Sequence, residues 1–384
     1  MRSAARFAKG HGVNRMGATK TVSGGRNYGV DLLRILSMFY VIILHCLGKG
    51  GILDAAEEGT DLYASAWFME AWAYCAVNIF GMISGYVGYS DTPKKTKYST
   101  WMLMWLQVVF YGAVTTVAFQ LILPDAVTKK DFFEMFLPVS KELYWYFTAY
   151  TALFFLMPLL NAAIRGCTEK QLKQMLIIIL VVFVFYDNVT RKFGMEAGYT
   201  CLWLILLYLI GAIMKKCRIG EKIKPLPALL GIVALVAVSW LWRLYGREIK
   251  LLGVGVNAKT LVAYTSPTMV FAAMLYIIGF SKISFPRWSE KLISFMAKGA
   301  FAVYLLNNQR FIWKYVMDKN FVFLTEKPAP VFVGAVLTFA LCFVVVAILI
   351  DHVRMFLFRI LGINTAVQKL SGWVEKGLER IKDS

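Results

Sequence analysis

"DLLRILSMFYVIILHCLGKGG" (residues 31–51) is apolar enough to enter a bilayer, yet it carries an aspartate, an arginine and a histidine. Ionisable side chains at membrane depth are costly and persist where they face protein or water rather than lipid. Asp31 and Arg34 stand three residues apart, the spacing that lets two side chains pair on one helix face. Arg34 and His45 are separated by three helical turns with a residual of only about 20°, so both project from one side of the helix, about 16 Å apart along its axis. Arg34 near a span's end has a plain alternative reading, a snorkelling cation neutralised by Asp31. His45 lies deep in the stretch with no partner nearby in sequence. It is therefore expected to line a cavity walled by protein.

The rest of the chain matches this opening. Of its 384 residues 59% are hydrophobic and 17% charged, and the mean hydropathy is +0.60, which places it among integral membrane proteins. About ten apolar stretches approach or reach the length needed to span a bilayer. They lie near residues 30–48, 66–89, 100–123, 143–162, 172–187, 199–215, 226–245, 260–280, 294–316 and 330–350. The expected fold is an all-α bundle of about ten transmembrane helices, with one membrane-embedded unit over residues 28–360. The net charge of +19 sits in short clusters between apolar runs, which is how membrane topology is written. It does not form the basic face of a nucleic-acid binder, so no nucleic-acid partner is expected. The N-terminal tail, 91–97, 165–173, 215–224, 281–291 and the C-terminal segment hold about 26 Lys and Arg, against about 12 on the alternate loops. Both termini are thus expected in the cytoplasm, although Arg247 and Lys250 run against the bias.

Residues 1–27 are basic, lack acids and contain no apolar core before a cleavage site, so they read as a disordered cytoplasmic tail rather than a secretory signal. Residues 361–384, with "KLSGWVEKGLERIKDS" (369–384), read as a cytoplasmic tail carrying an amphipathic helix. The six cysteines show no zinc or disulfide spacing, so no metal is expected and they read as small hydrophobes.

Further polar groups lie at membrane depth. "AVNIFGMISGYVGY" (76–89) offers Asn78 and Ser84 as cavity candidates, while Gly81, Gly85 and Gly88 read as a helix-packing face. "ELYWYFTAYTALFFLMPLLN" (142–161) places Tyr144, Trp145, Tyr146 and Tyr150 near one end of a span, where an aromatic belt is the default and a substrate lining the rival. Pro267 in "AYTSPTM" (263–269) predicts a kink. "AFAVYLLNNQRFIW" (300–313) puts Asn307, Asn308 and Arg310 inside a span, where they need partners.

The arrangement of Arg34 and His45 in "DLLRILSMFYVIILH" resembles the first-helix signature of acyltransferase family 3, multi-span membrane enzymes that acylate sugars and related acceptors. The likeness continues in order through "VNIFGMISGYVGY", "LYWYFTAYTALFFLMPLLN", "YTSPTMV", "AFAVYLL" and "ILIDHVRMFLF", covering most of residues 27–360. The resemblance implies transfer of an acyl group, acetyl foremost, from cytoplasmic acyl-CoA to a hydroxyl of a cell-surface or exported glycan or glycolipid. It also implies a multi-pass protein of the bacterial plasma membrane, and it makes His45 and Arg34 the catalytic pair. A neutral imidazole can act as general base or carry the acyl group transiently, and a guanidinium suits the donor's phosphates.

Two departures stand out. Asn307 occupies a position where relatives often carry a histidine. The loop after the second span offers Lys94, Lys95 and Lys97 in place of arginines, keeping the charge for donor binding but losing bidentate geometry. Asp31, Asn78, Ser84, Tyr144, Trp145 and Asn307 complete the candidate cavity. The rival from another class is a transporter of a small metabolite or lipid-linked sugar, whose mark would be paired broken helices related by a repeat.

Overall fold

The computed structural model describes residues 26–246, 249–251 and 254–382. Most of the expected basic N-terminal tail, residues 1–25, therefore lies outside the described residues.

Helix α1 (Tyr28–Leu47) starts where Asn27 caps it, its side-chain Oδ1 accepting from the Val30 amide at 3.1 Å, and gives way at Gly48. The chain then turns through Gly51, whose φ of +86° favours glycine. Helices α2 (Asp61–Ala73) and α3 (Ala76–Gly88) make one interrupted crossing. They are followed by α4 (Tyr98–Ile122), the short α5 (Lys129–Glu134) and α6 (Trp145–Gly166). Next come α7 (Glu169–Thr190), π-wound over Ile179–Tyr186, then α8 (Cys201–Lys216) and α9 (Pro225–Tyr245). A two-stranded antiparallel ribbon, Ile249–Leu251 with Val254–Val256, pairs Ile249 with Val256 and is the one departure from an all-helical chain among the described residues. The chain closes with α10 (Pro267–Phe280), α11 (Arg287–Lys298), α12 (Ala300–Asn307), α13 (Ala329–Ile360) and α14 (Ile363–Lys382).

Seven of these segments are long and apolar enough to cross a membrane: α1, α2–α3, α4, α6, α7, α9 and α13. The other three expected spans are shorter or broken, for separate reasons. Helix α8 has 16 residues, and most of its side chains are covered by protein. Residues 260–266 do not continue α10; Ser266 is the cap and Pro267 the first helical residue. The kink expected at Pro267 is therefore absent, because a first-turn proline has no intrahelical N–H to forfeit. The stretch 294–316 breaks at Gly299 and again at Asn308–Gln309.

Successive segments alternate between two ends of the bundle, named here for Arg34 and His45. At the Arg34 end, Asn27 donates to the Ser281 carbonyl at 2.8 Å, Lys215 to the Tyr89 carbonyl at 2.9 Å, and Lys282 to the Gly220 carbonyl at 2.7 Å. The Lys- and Arg-rich loops of the sequence thus gather at one end. At the other, the Phe321 amide donates to the Gly50 carbonyl at 3.1 Å. On α14, Leu370, Trp373, Val374 and Leu378 are exposed at helical spacing, leaving an apolar face outward.

Several polar side chains inside the bundle pair across helices. Asp351 of α13 is fully buried and accepts from Gln107 at 2.9 Å, Tyr111 at 2.8 Å and Arg354 at 2.6 Å, which ties α13 to α4. Helices α3 and α8 meet through glycine. A Cβ on Gly85 would lie 1.9 Å from the Tyr208 carbonyl oxygen, and one on Gly211 would lie 2.0 Å from that of Met82. Of the small-residue face read from the sequence, Gly85 makes a backbone-to-backbone contact, while Gly81 and Gly88 pack on the side chains of Leu207 and Tyr208. Gly211→Val should force these helices apart, at a cost of at least about 1–3 kcal/mol, and lower the thermal midpoint of the detergent-solubilised protein. A wild-type midpoint in that variant would refute the close contact.

Candidate active site

The helix face joining Arg34 to His45 is continuous. Met38 and Val41 occupy the turns between them and line a cavity together with His45. Phe80 of α3, Trp145 and Tyr146 of α6, and Tyr304 of α12 supply other walls. The cavity is narrow, about 30 Å³, close to one water's share of the liquid.

His45 does have a partner, but it is 262 residues away in sequence: its Nδ1 is hydrogen bonded to Asn307 Oδ1. The Asn307 amide nitrogen donates to Met317 Sδ at 3.6 Å, which fixes the carbonyl end of the amide toward the imidazole. A carbonyl oxygen only accepts, so Nδ1 carries the proton and Nε2 keeps its lone pair. Trp313 holds the ring edge-on, with centroids 4.7 Å apart. Asn307 reaches this position because α12 stops there. Gln309 caps the next turn, accepting from the Phe311 amide at 2.7 Å. Arg310 is then drawn to α5, where it pairs with Asp131 and, at 3.1 Å, with Glu134.

Tyr146, which helical spacing alone leaves among the belt residues, joins the cavity wall. Its hydroxyl is buried without a hydrogen-bond partner among the described residues, and the residue lines the cavity. The spacing of four between Tyr146 and Tyr150 signals a shared helix face, but aromatic residues at a span's end are ordinarily belt residues. Tyr144 and Tyr146 are instead buried against Tyr304, at 5.9 and 6.0 Å between ring centroids. The belt reading fails for both.

Other candidates separate by position. Ser84, one turn beyond Phe80, donates to the Phe80 carbonyl at 3.1 Å, and Tyr150 interacts with both Ser84 and Arg34. Tyr146 and Tyr150 stack 6.1 Å apart, so a row of side chains leads from the His45 cavity toward Arg34. Arg34 donates to Asp31 at 2.8 Å, and Arg26 also pairs with Asp31. Trp145 is in the cavity wall, whereas Tyr144 lies on its far side beside Gln309 and Arg310. Asn78 is not at the cavity. It is wholly buried, donates to the Tyr264 carbonyl at 2.7 Å and accepts from Trp203 at 3.1 Å, and so holds the backbone of a wall residue. Lys94, Lys95 and Lys97 are exposed in the loop before α4 at the Arg34 end, and none of them lines the cavity.

A family profile described as an acyltransferase domain matches residues 27–347, a range that begins just before α1 and ends within α13. The chain belongs to acyltransferase family 3. It is an acyl-transferring enzyme of the membrane. No curated protein and no solved structure matches it. In this acyltransferase, the segments that build the His45 cavity all fall inside the matched range.

The α5 anchor titrates. Burial pushes the Asp131 carboxyl upward, but hydrogen bonds from the Thr128 amide and hydroxyl, both 2.7 Å, and the charge of Arg310 outweigh it and hold the group below its ordinary value. A depressed carboxylate stabilises the fold above its unfolded value near pH 3.9, and that contribution is lost as pH falls through the folded value. Thermal melts should therefore show Asp131→Asn destabilised at pH 6 and converging with wild type at strongly acidic pH. Parallel curves at every pH would exclude the ion pair as the anchor.

Proposed function

We propose that the protein moves an acetyl group from cytoplasmic acetyl-CoA to a hydroxyl of a cell-surface or exported glycan or glycolipid, with His45 as the central catalytic residue and Arg34 as its donor-side partner. One observation carries the reading. An imidazole held at Nδ1 by Asn307, with no bond at Nε2 among the described residues, shares a cavity with Tyr146, whose hydroxyl has no partner among them.

The chemistry follows from those atoms. His45 Nε2 takes the proton of the acceptor hydroxyl as its oxygen attacks the thioester carbonyl. Asn307 Oδ1 accepts from Nδ1–H and stabilises the imidazolium that forms. The Tyr146 hydroxyl donates to the carbonyl oxygen as it gains charge. The carbon–sulfur bond then breaks, and the proton on Nε2 passes to the departing thiolate. A transient acyl-histidine would use the same lone pair.

Arg34 spends one N–H on Asp31 and keeps others for the donor, about 16 Å along α1 from His45. Lys94, Lys95 and Lys97 give the Arg34 end positive charge for the phosphates of CoA. The narrow cavity admits substrates only when its aromatic walls part. Counting α8, α10 and the broken α11–α12 segment with the seven long crossings gives ten, with both termini and the Arg34 end in the cytoplasm of a bacterial plasma membrane. The exposed apolar face of α14 would lie on that membrane surface. The transporter alternative has no observation of its own, and family membership favours acyl transfer.

With labelled acetyl-CoA, purified protein should transfer or slowly hydrolyse the acetyl group, and His45→Ala should abolish this without unfolding, as a cooperative thermal transition of the variant would show. Full activity in His45→Ala would sink the mechanism. Tyr146→Phe should lower kcat about 10²–10³-fold, the usual loss for one such donor. Arg34→Lys should weaken donor use less than Arg34→Ala; equal losses would argue against a charge role.

A further inference from the structure

A second cavity opens at the His45 end, between the 187–197 segment and residues 260–265, with a volume of about 350 Å³. This is within the range of small-ligand sites, roughly 300–1,000 Å³. Its floor is polar and covered: Asp187, Asn188, Thr260 and Thr265 are all buried. Asp187 spends Oδ1 on the Phe193 amide at 2.8 Å, and its other oxygen makes no hydrogen bond among the described residues. Arg191 and Glu196 stand at the rim. Three non-glycine residues of this one loop, Arg191, Glu196 and Ala197, have φ of 52°, 44° and 56°. Backbone held in such conformations concentrates at ligand sites, where the surroundings over-determine it.

Consecutive residues of one segment line this cavity and that of His45. Ala263 and Thr265 line the polar cavity, and Tyr264 between them lines the His45 cavity. The Tyr264 ring meets Tyr199 at 5.2 Å and Tyr74 at 4.9 Å, and Tyr199 meets Trp145, another wall of the His45 cavity, at 4.8 Å. Gly198 permits this packing: its φ is +104°, and a Cβ there would lie 2.5 Å from that of Tyr264. Glu70, one turn before Tyr74 on α2, adds a buried carboxyl oxygen without a hydrogen-bond partner among the described residues.

We propose that the polar cavity binds the polyhydroxylated acceptor, and that Tyr264 and Tyr199 form the gate through which one of its hydroxyls reaches His45. The chemistry of the site fits a carbohydrate. The free oxygen of Asp187 accepts from a sugar hydroxyl, Arg191 and Glu196 supply further donors and acceptors at the rim, and the gate rings offer apolar faces beside their own hydroxyls. This inference rests on the acyl-transfer reading above.

Asp187→Asn keeps an oxygen for the Phe193 amide but replaces the free acceptor with a donor. Ala263→Leu fills the cavity from a position with no polar side chain to lose. The probe is labelled acetyl-CoA with de-O-acylated surface glycan from cells that carry the protein. Both variants should raise the glycan concentration for half-maximal transfer about ten- to a hundredfold, the size of one charge-assisted hydrogen bond for Asp187, with a smaller effect on the rate at saturating glycan. Wild-type glycan dependence in both variants would overturn the cavity as acceptor site and leave the His45 mechanism standing. No transfer or hydrolysis by the wild-type protein would instead overturn the acyl-transfer reading, and this inference with it.

Discussion

The bond between His45 and Asn307 is the constraint on which the site depends. It joins the first helix to a break in the chain more than 250 residues later, and it can form only if that break occurs. Breaking the helix after Asn307 and restarting it at Arg310 leaves the first amides of the new turn without helical carbonyl partners. Gln309 satisfies two of them, and Arg310 is carried outward to the acids of α5. An interruption that looks like a defect in a transmembrane segment thus orients an imidazole.

The same economy of pairing runs through the bundle. Asn78 bridges Trp203 and the Tyr264 backbone, and Asp351 gathers Gln107, Tyr111 and Arg354. These groups are at membrane depth because each has its hydrogen bonds supplied by protein. Tyr146 is different, since its hydroxyl is buried at the cavity with nothing to bond among the described residues. Under the proposed function, that hydroxyl is the donor available in the cavity that His45 lines.

Much of this was legible in the sequence because helical periodicity is local. The face shared by Arg34 and His45, the glycine contact of α3 and the gathering of basic loops at one end follow from spacing and composition alone. The pairing of His45 with Asn307 was not, because nothing local tells that the ninth apolar stretch breaks rather than spans; the amides "NNQ" (307–309) hinted at it only as residues in need of partners. Pro267 misled for a related reason, as a proline reads alike at a helix's first turn and in its middle until the start of the helix is known. Tyr144 and Tyr146 read as belt residues because sequence gives depth in the bilayer but not which way a side chain faces.

Helix α13 has 32 residues, so it is about 48 Å long, against a hydrocarbon layer of about 30 Å. Asp351 lies about 33 Å from its first residue, near where that layer would end. The Asp351–Arg354 pair is covered by protein and ties α13 to α4 near that level. A helix about 18 Å longer than the layer cannot stand upright within it. It either tilts or carries its last turns out of the hydrocarbon, and the bonds to α4 oblige the two helices to do so together.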